Sequence, residues 1–278
     1  MDVAIVSSPG QGVYARFVQA LLVSPELTSA RFEQFEPRSL KEDSLAHQDV
    51  VLAVGVQSAQ AALKLTSKPV LAVMLSEASY QELLLSFPHA RLAAVVLDQP
   101  IARQIALFKA LWPGKSVLGV LLGRHGSALH MAMQREAEKK GLSLKFGFLH
   151  GTQGSVPVLE ALMDGSDAIL APADPDAFNA QNARVILLTT YRAGVPVLSF
   201  SASAVEAGAL AAVFSTPENI AQQVAGWLAQ QKSTGISLPS ERAPKYFDVL
   251  FNRQVARSLK QDIPDTEVVL QRIRAVCP

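Results

Sequence analysis

Cysteine is almost missing from this chain of 278 residues: Cys277 stands alone beside the C-terminus. A lone thiol has no disulfide partner and no companion for a thiolate metal site, which excludes a disulfide-stapled scaffold and a zinc-ribbon type of centre. Charge of one sign is missing too. The 25 Lys+Arg nearly cancel the 24 Asp+Glu, and charged residues amount to only 18%. So even a balance gives no electrostatic footprint for nucleic acid or an anionic membrane. No uninterrupted apolar run reaches the roughly 18 residues of a membrane span. A leader pattern is also lacking, since after Met1 and Asp2 the chain enters VAIVSS directly. That leaves a cytoplasmic protein or one whose secretion signal has been removed.

What the chain does have is apolar residues, 49% of the total. They fall in short runs rich in Val, Leu and Ala: VAIVS (3–7), VVLAVG (50–55), VLAVML (70–75), LAAVVLD (92–98), VLGVLLG (117–123), LKFGFL (144–149), AILAPA (168–173), VPVLSF (195–200), AAVFS (211–215) and YFDVLFN (246–252). Continuous apolar runs are the mark of strands buried on both faces, as in parallel sheets. Between them GVYARFVQALLVS, SAQAALKLT, IARQIALFKALWP, SALHMAMQREAEKKG and IAQQVAGWLAQQ carry apolar residues at helical spacing. The expected class is therefore α/β with parallel sheets. EAEKKG ends on basic residues and Gly141, which predicts a left-handed helix cap there. A Pro-Gly break at Trp112–Ser116 separates two stretches with the same grammar and predicts two similar lobes: residues 1–116 with 214–243, and 117–213 with 244–278. KSTGISLPSERAP (232–244) reads as a loop near the passage between them.

In open parallel sheets, ligands bind where strand carboxyl ends lead into helix N-termini. That rule selects SSPGQG (7–12), GVQS (55–58), SEAS (76–79), GRHGS (123–127), HGTQGS (150–155), PADPD (172–176) and SFSAS (199–203), nearly all short, small and polar, with hydroxyls and glycines. Such ends suit a carboxylate or another small anion. SSPGQG lacks both the GxGxxG spacing and the Lys-Ser/Thr ending of nucleotide loops. Asp174 is a candidate partner for a ligand ammonium, and Asp176 a candidate cap for the helix that follows. His125 and His150 lack a second ligand at metal spacing, so no cofactor is expected. A GxSxG elbow is absent, and no close acid–base pair of carboxylates stands out. Ser203 with Glu206 spells a capping box, leaving Ser201 free to face a ligand.

LDQPIARQIALFKALWPGKSVLGVLLG, GRHGSALHMAMQREAEKKGLSL, DAILAPADPDAF, AGVPVLSFSASAVEAGALAAVFS and YFDVLFNRQVARSLKQDIPD, from about Leu97 onward, together resemble the ABC-transporter substrate-binding proteins of the type that includes tryptophan-binding members. VEAGAL, and Asn252, Ala256 and Leu259 after the last strand, are the most specific pieces. The resemblance implies a type I periplasmic-binding fold: two Rossmann-like lobes joined by a hinge, closing on a small solute. It also implies export to the periplasm or a lipid anchor, an ABC permease as partner, and no catalysis. Ser7, Ser8, Gln11, Tyr14, Gln57, Ser58 and Ser76 of the first lobe and His125, Ser127, Asp174, Phe200 and Ser201 of the second are then the ligand-binding candidates. Ser8, Ser58 and Ser127 would hold a carboxylate and Asp174 an ammonium, while Tyr14 or Phe200 packs on the side chain. This chain has Arg124 to Ser127 where relatives commonly carry Asn and Ser, and Ser201 to Ser203 where relatives are often acidic. A sensory module of the same fold, and a doubly wound enzyme acting on a nucleotide or phosphorylated substrate, remain as alternatives.

Overall fold

The computed structural model describes residues 1–277 apart from 11, 42, 124–126, 150–154, 175 and 233–234, and apart from the side chains of 127 and 128. By its contacts the chain divides into two compact units, Met1–Asp98 with Ser215–Phe247, and Gln99–Phe214 with Asp248–Pro278. The chain therefore passes from one unit to the other three times.

The first unit opens with β1 (Asp2–Ser7), α1 (Val13–Leu22), β2 (Arg31–Phe35), β3 (Val50–Val54), α2 (Val56–Leu63), β4 (Val70–Leu75), α3 (Glu77–Ser86) and β5 (Leu92–Val96). The second continues with α4 (Ile101–Leu111), β6 (Val117–Leu122), α5 (Ser127–Lys139), β7 (Ser143–Phe148), α6 (Ser155–Met163), β8 (Ala168–Leu170), α7 (Ala183–Arg192), β9 (Val197–Ser199), α8 (Ala202–Glu206) and β10 (Ala211–Phe214). After α9 (Pro217–Ala229) in the first unit, the chain ends in the second with β11 (Asp248–Phe251), α10 (Arg253–Ser258) and α11 (Thr266–Val276).

One sheet has the order β2-β1-β3-β4-β5 and the other β7-β6-β8-β9-β10-β11. All pairings are parallel except β10 with β11. Set side by side, the first five strands of each unit follow the same winding, second-first-third-fourth-fifth. Each sheet thus reverses its strand order at one point: between β1 and β3, and between β6 and β8.

Side-chain alternation along each strand explains why the runs are apolar throughout. On one face of the first sheet Val3, Ile5, Val50, Leu52, Leu71 and Val73 pack with Phe17 and Leu21 of α1 and Ile220, Val224 and Leu228 of α9. Ala4, Val6, Val51, Ala53, Val70 and Ala72 point the other way, onto Ala59 and Ala62 of α2 and Tyr80 and Leu83 of α3. Burying each of the larger side chains contributes about 1.5–3 kcal/mol. β2, RFEQF, is the strand that the apolar pattern does not reveal: it is an edge, mostly exposed, and edges are kept charged against unwanted pairing.

The Pro-Gly break lies inside the second unit. α4 has eight of its eleven residues buried and packs on α5, α11 and β10, with Arg272 Nη1 donating to Ala110 O at 2.7 Å. The break ends a helix, and the passage between units comes earlier, at Asp98/Gln99. Gly141 takes φ 62° and Leu142 N bonds to Ala137 O at 2.9 Å, the left-handed cap that the sequence predicts.

Side chains of the first unit fasten the segments that lead out of it. Gln223 of α9 donates to Ala243 O at 3.2 Å and accepts from Lys245 N at 2.7 Å. Val96 N donates to Arg242 O, and Ser215 Oγ to Tyr246 O at 2.6 Å. Asp98 Oδ2 accepts from Glu77 N, in the first turn of α3, at 2.8 Å. Arg242 pairs with Glu77 at 3.5 Å and lies 5.5 Å over the Tyr80 ring. Burial is the largest influence on the Asp98 carboxyl and pushes it above the usual carboxylate range, against the Glu77 N–H bond that lowers it. A raised carboxyl favours folding at pH below its unfolded value and loses that advantage as pH rises through the folded one. Asp98→Ala, which strands the Glu77 N–H, is expected to cost about 1–2 kcal/mol in urea unfolding at neutral pH. Asp98→Asn keeps an acceptor and is expected to cost less. On acidification through the carboxylate range, wild type is expected to gain stability relative to Asp98→Asn.

Candidate functional site

Where strand order reverses, the loops on either side part and leave a crevice at the carboxyl ends of the strands. In the first unit that point is flanked by the loops after β1 and β3. Ser7 and Ser8 are half-buried at the end of β1, and Ser7 Oγ lies 3.4 Å from Ser8 O. Tyr14 in the first turn of α1 reaches across to the other loop. Gly55, the N-cap of α2, has φ 82°, and a Cβ placed on it would fall 2.6 Å from the Tyr14 hydroxyl oxygen. Glycine is required there twice over, by backbone angle and by the ring above it. Gln57 is exposed beside it.

Two first-unit candidates turn out to be occupied elsewhere. Ser58 is 1% exposed and its Oγ has no hydrogen-bond partner among the described residues, so the hydroxyl expected to hold a carboxylate is turned into the packing of α2. Three residues after the N-cap, the helix periodicity carries it to the inner face. Ser76 caps α3, accepting from Ser79 N at 3.2 Å and donating to Ser79 Oγ at 3.0 Å. Gln11 lies outside the described residues. On the flank of the β1 loop, a groove of about 660 Å³ is lined by Ser7, Ser8 and Gly10 together with Val18, Leu22 and Phe35.

In the second unit the crevice is flanked by the loops after β6 and β8. Gly123 N donates to Asp174 Oδ2 at 2.8 Å. The other oxygen, Oδ1, accepts from Asp176 N at 3.0 Å and Ala177 N at 3.3 Å. The carboxylate expected to meet a ligand ammonium is thus engaged by three backbone N–H groups. Asp176 does not cap the following helix, because side chains of Asn179 and Asn182 close further turns and α7 begins only at Ala183. His125 and His150 lie outside the described residues, as does the side chain of Ser127 at the start of α5.

Phe200, at the end of β9, is half-buried and stands edge-on to Phe178, ring centroids 6.2 Å apart at 83°. The two serines beyond it depart from the capping expected of them. Ser201 is the N-cap of α8 and accepts from Ala204 N at 3.2 Å, while Ser203 is exposed with its Oγ 3.1 Å from Ser201 Oγ. Because β9 stops at Ser199, the helix starts two residues before the capping-box spelling, and no Glu sits at its third position.

Sequence reasoning passed over three residues. Gly55 and Gly123 look like ordinary turn glycines, and only the approach of Tyr14 or Asp174 shows their purpose. Phe178 could have been found as the one aromatic directly following the PADPD loop.

The acids that would oppose an anion are sparse at these helix starts: the first turns of α1, α2, α5 and α8 contain none. Their positive ends are left uncompensated. Gly55→Ala is expected to destabilise the protein by about 1–3 kcal/mol through its positive φ and the Tyr14 contact. In a Tyr14→Ala background the same substitution is expected to cost less, a coupling that a double-mutant cycle in urea measures.

The family model described as ABC transporter substrate binding protein matches residues 38–275. No curated protein matches in sequence at a significant level. Among solved structures, the ligand-free, open form of a substrate-binding protein with adhesive properties from Clostridium difficile aligns with TM-score 0.73 at 15% identity, over 96% of this chain and 97% of that one. The ABC domain from Streptococcus pneumonia in complex with L-Trp aligns with TM-score 0.60 at 18% identity, over 98% of each chain. A conserved domain protein of Vibrio cholerae gives TM-score 0.60 at 20% identity, over 98% of this chain and 97% of that one. Those likenesses carry the two-lobed α/β fold of periplasmic binding proteins. With the family model spanning most of its length, the chain belongs to the ABC transporter substrate-binding protein family.

Proposed function

We propose that this protein is the extracytoplasmic solute-binding component of an ABC importer, that it captures a small polar, amino-acid-like solute and hands it to a membrane permease, and that it catalyses no reaction. The observation that carries the reading is the repeated construction of the two strand-reversal points. The first carries Ser7, Ser8 and Tyr14 beside Gly55; the second has Gly123 tied to the loop after β8, and that loop leads to Phe178, which stands against Phe200 after β9. Helix starts without acidic residues, at α1 and α2 in particular, suit a solute carboxylate. The aromatic rings suit an apolar side chain, and the S. pneumonia neighbour is described in complex with L-Trp.

Ligand recognition here falls to Ser7, Ser8, Tyr14 and Gln57 in the first unit, with Phe200 and the loops that carry His125 and Ser127 in the second. Gln11 shares the first loop. Ser76 and Ser201 serve as capping hydroxyls and Ser58 as a buried one within α2, so their contribution runs through those helices.

A thermal-shift panel of L-amino acids, nucleosides, nucleotides and sugars tests the reading. At a concentration 100-fold above its Kd, the right solute is expected to stabilise the fold by about 2.7 kcal/mol, a shift of several degrees. Tyr14→Ala and Phe200→Ala are each expected to lower affinity for an aromatic amino acid by about tenfold while leaving an aliphatic one less affected. A protein that responds only to nucleotides and turns them over would be an enzyme, and the reading would be wrong.

A further inference from the structure

The Asp174 carboxylate, in the second unit's crevice, has two oxygens that serve different loops. Oδ2 takes the N–H of Gly123, the residue after β6, and Oδ1 takes the N–H groups of Asp176 and Ala177, beyond β8. Its own backbone adds to the turn: Asp174 O accepts from Ala177 N at 3.0 Å and Phe178 N at 2.8 Å. β6 and β8 are the two strands on either side of the strand-order reversal, so this single side chain spans the gap at which the loops diverge. Gly123 is fitted to it. A Cβ at Gly123 would lie 2.7 Å from Asp174 Oδ1 and 2.3 Å from Asp176 Cβ.

From this geometry we infer that Asp174 is a positioning residue that fixes the spacing of the β6 and β8 loops, and that it does not pair with a solute ammonium. The inference rests on the solute-binding reading for its functional meaning and on the hydrogen bonds alone for its structural content. Aspartate suits the task for a chemical reason. Two acceptor oxygens on a one-carbon stem can face two loops at once, whereas asparagine offers one acceptor and would turn its amide donor toward one set of N–H groups. The backbone hydrogen bonds to an ionised acceptor are also the stronger kind. Phe178, one turn beyond, is carried by the same loop to its place against Phe200, so the tie also sets where that aromatic edge stands.

Amide hydrogen exchange on the full-length, solute-free protein provides the first test. In wild type the Gly123, Asp176 and Ala177 amides are expected to be protected. Asp174→Asn is expected to keep the local turn and release Gly123, whose exchange accelerates about 10- to 100-fold; Asp174→Ala is expected to release Gly123 and Asp176, while Ala177 keeps its bond to the backbone carbonyl of residue 174. Unchanged Gly123 exchange in folded Asp174→Asn overturns the inference. Binding calorimetry with L-tryptophan and indole-3-propionate, which lacks the ammonium, provides the second. Asp174→Asn is expected to weaken both probes by the same factor, and a loss confined to L-tryptophan overturns the inference by placing the carboxylate on the ammonium. If wild type binds neither probe, the aromatic amino-acid reading falls alone, and the exchange rates decide for or against Asp174 by themselves.

Discussion

Burial of a parallel sheet on both faces is the constraint from which the rest of this molecule follows. A strand that cannot turn directly back on itself must be followed by a crossover, and the crossover helices cover the faces. Val, Leu and Ala then fill both sides of β1, β3 and β4, leaving polar side chains nowhere to go but the strand ends. The polar candidate residues are brought to those ends by the same requirement that builds the core. The strand order 2-1-3-4-5, present in both units, adds one reversal point per sheet, and there two loops leave in opposite directions.

The two reversal points are built alike in outline and differently in detail. In the first unit a glycine after β3 receives the Tyr14 ring from the β1 side. In the second the glycine stands after β6, and the side chain comes from the β8 side. One tie is an aromatic contact and the other a charged hydrogen-bonded bridge. Removing the Cβ on one side makes room for a side chain from the other, so each glycine is best understood as half of a pair.

Much of the architecture was legible in the apolar runs, because fully buried strands write themselves into composition. β2 was not, since an exposed edge strand such as RFEQF has no such run; α3 was obscured where polar residues interrupt the period, and α6, SVPVLEALM, where few polar residues mark out a face. Site residues were harder. The sequence shows that Ser58, Ser76 and Ser201 follow strands; it does not show which way a hydroxyl turns, and a two-residue difference in where α8 starts reassigns Ser201 and Ser203. Asp174 stands out in the sequence as a loop carboxylate, but its bond to Gly123 reaches a loop 51 residues away, a pairing that no local pattern encodes.

Gln223 of α9 holds the segment that leads to the last crossing. Both ends of its amide are spent on residues 243 and 245, and the backbone of Arg242 and Tyr246 is held by Val96 and Ser215. Residues 236–247, irregular and rich in proline and serine, look like slack in composition. Ile236, Ser237, Arg242, Ala243, Lys245 and Tyr246 are nevertheless each hydrogen-bonded to one lobe, so the chain arrives at its third crossing already moored, a stitched seam in place of a loose tether.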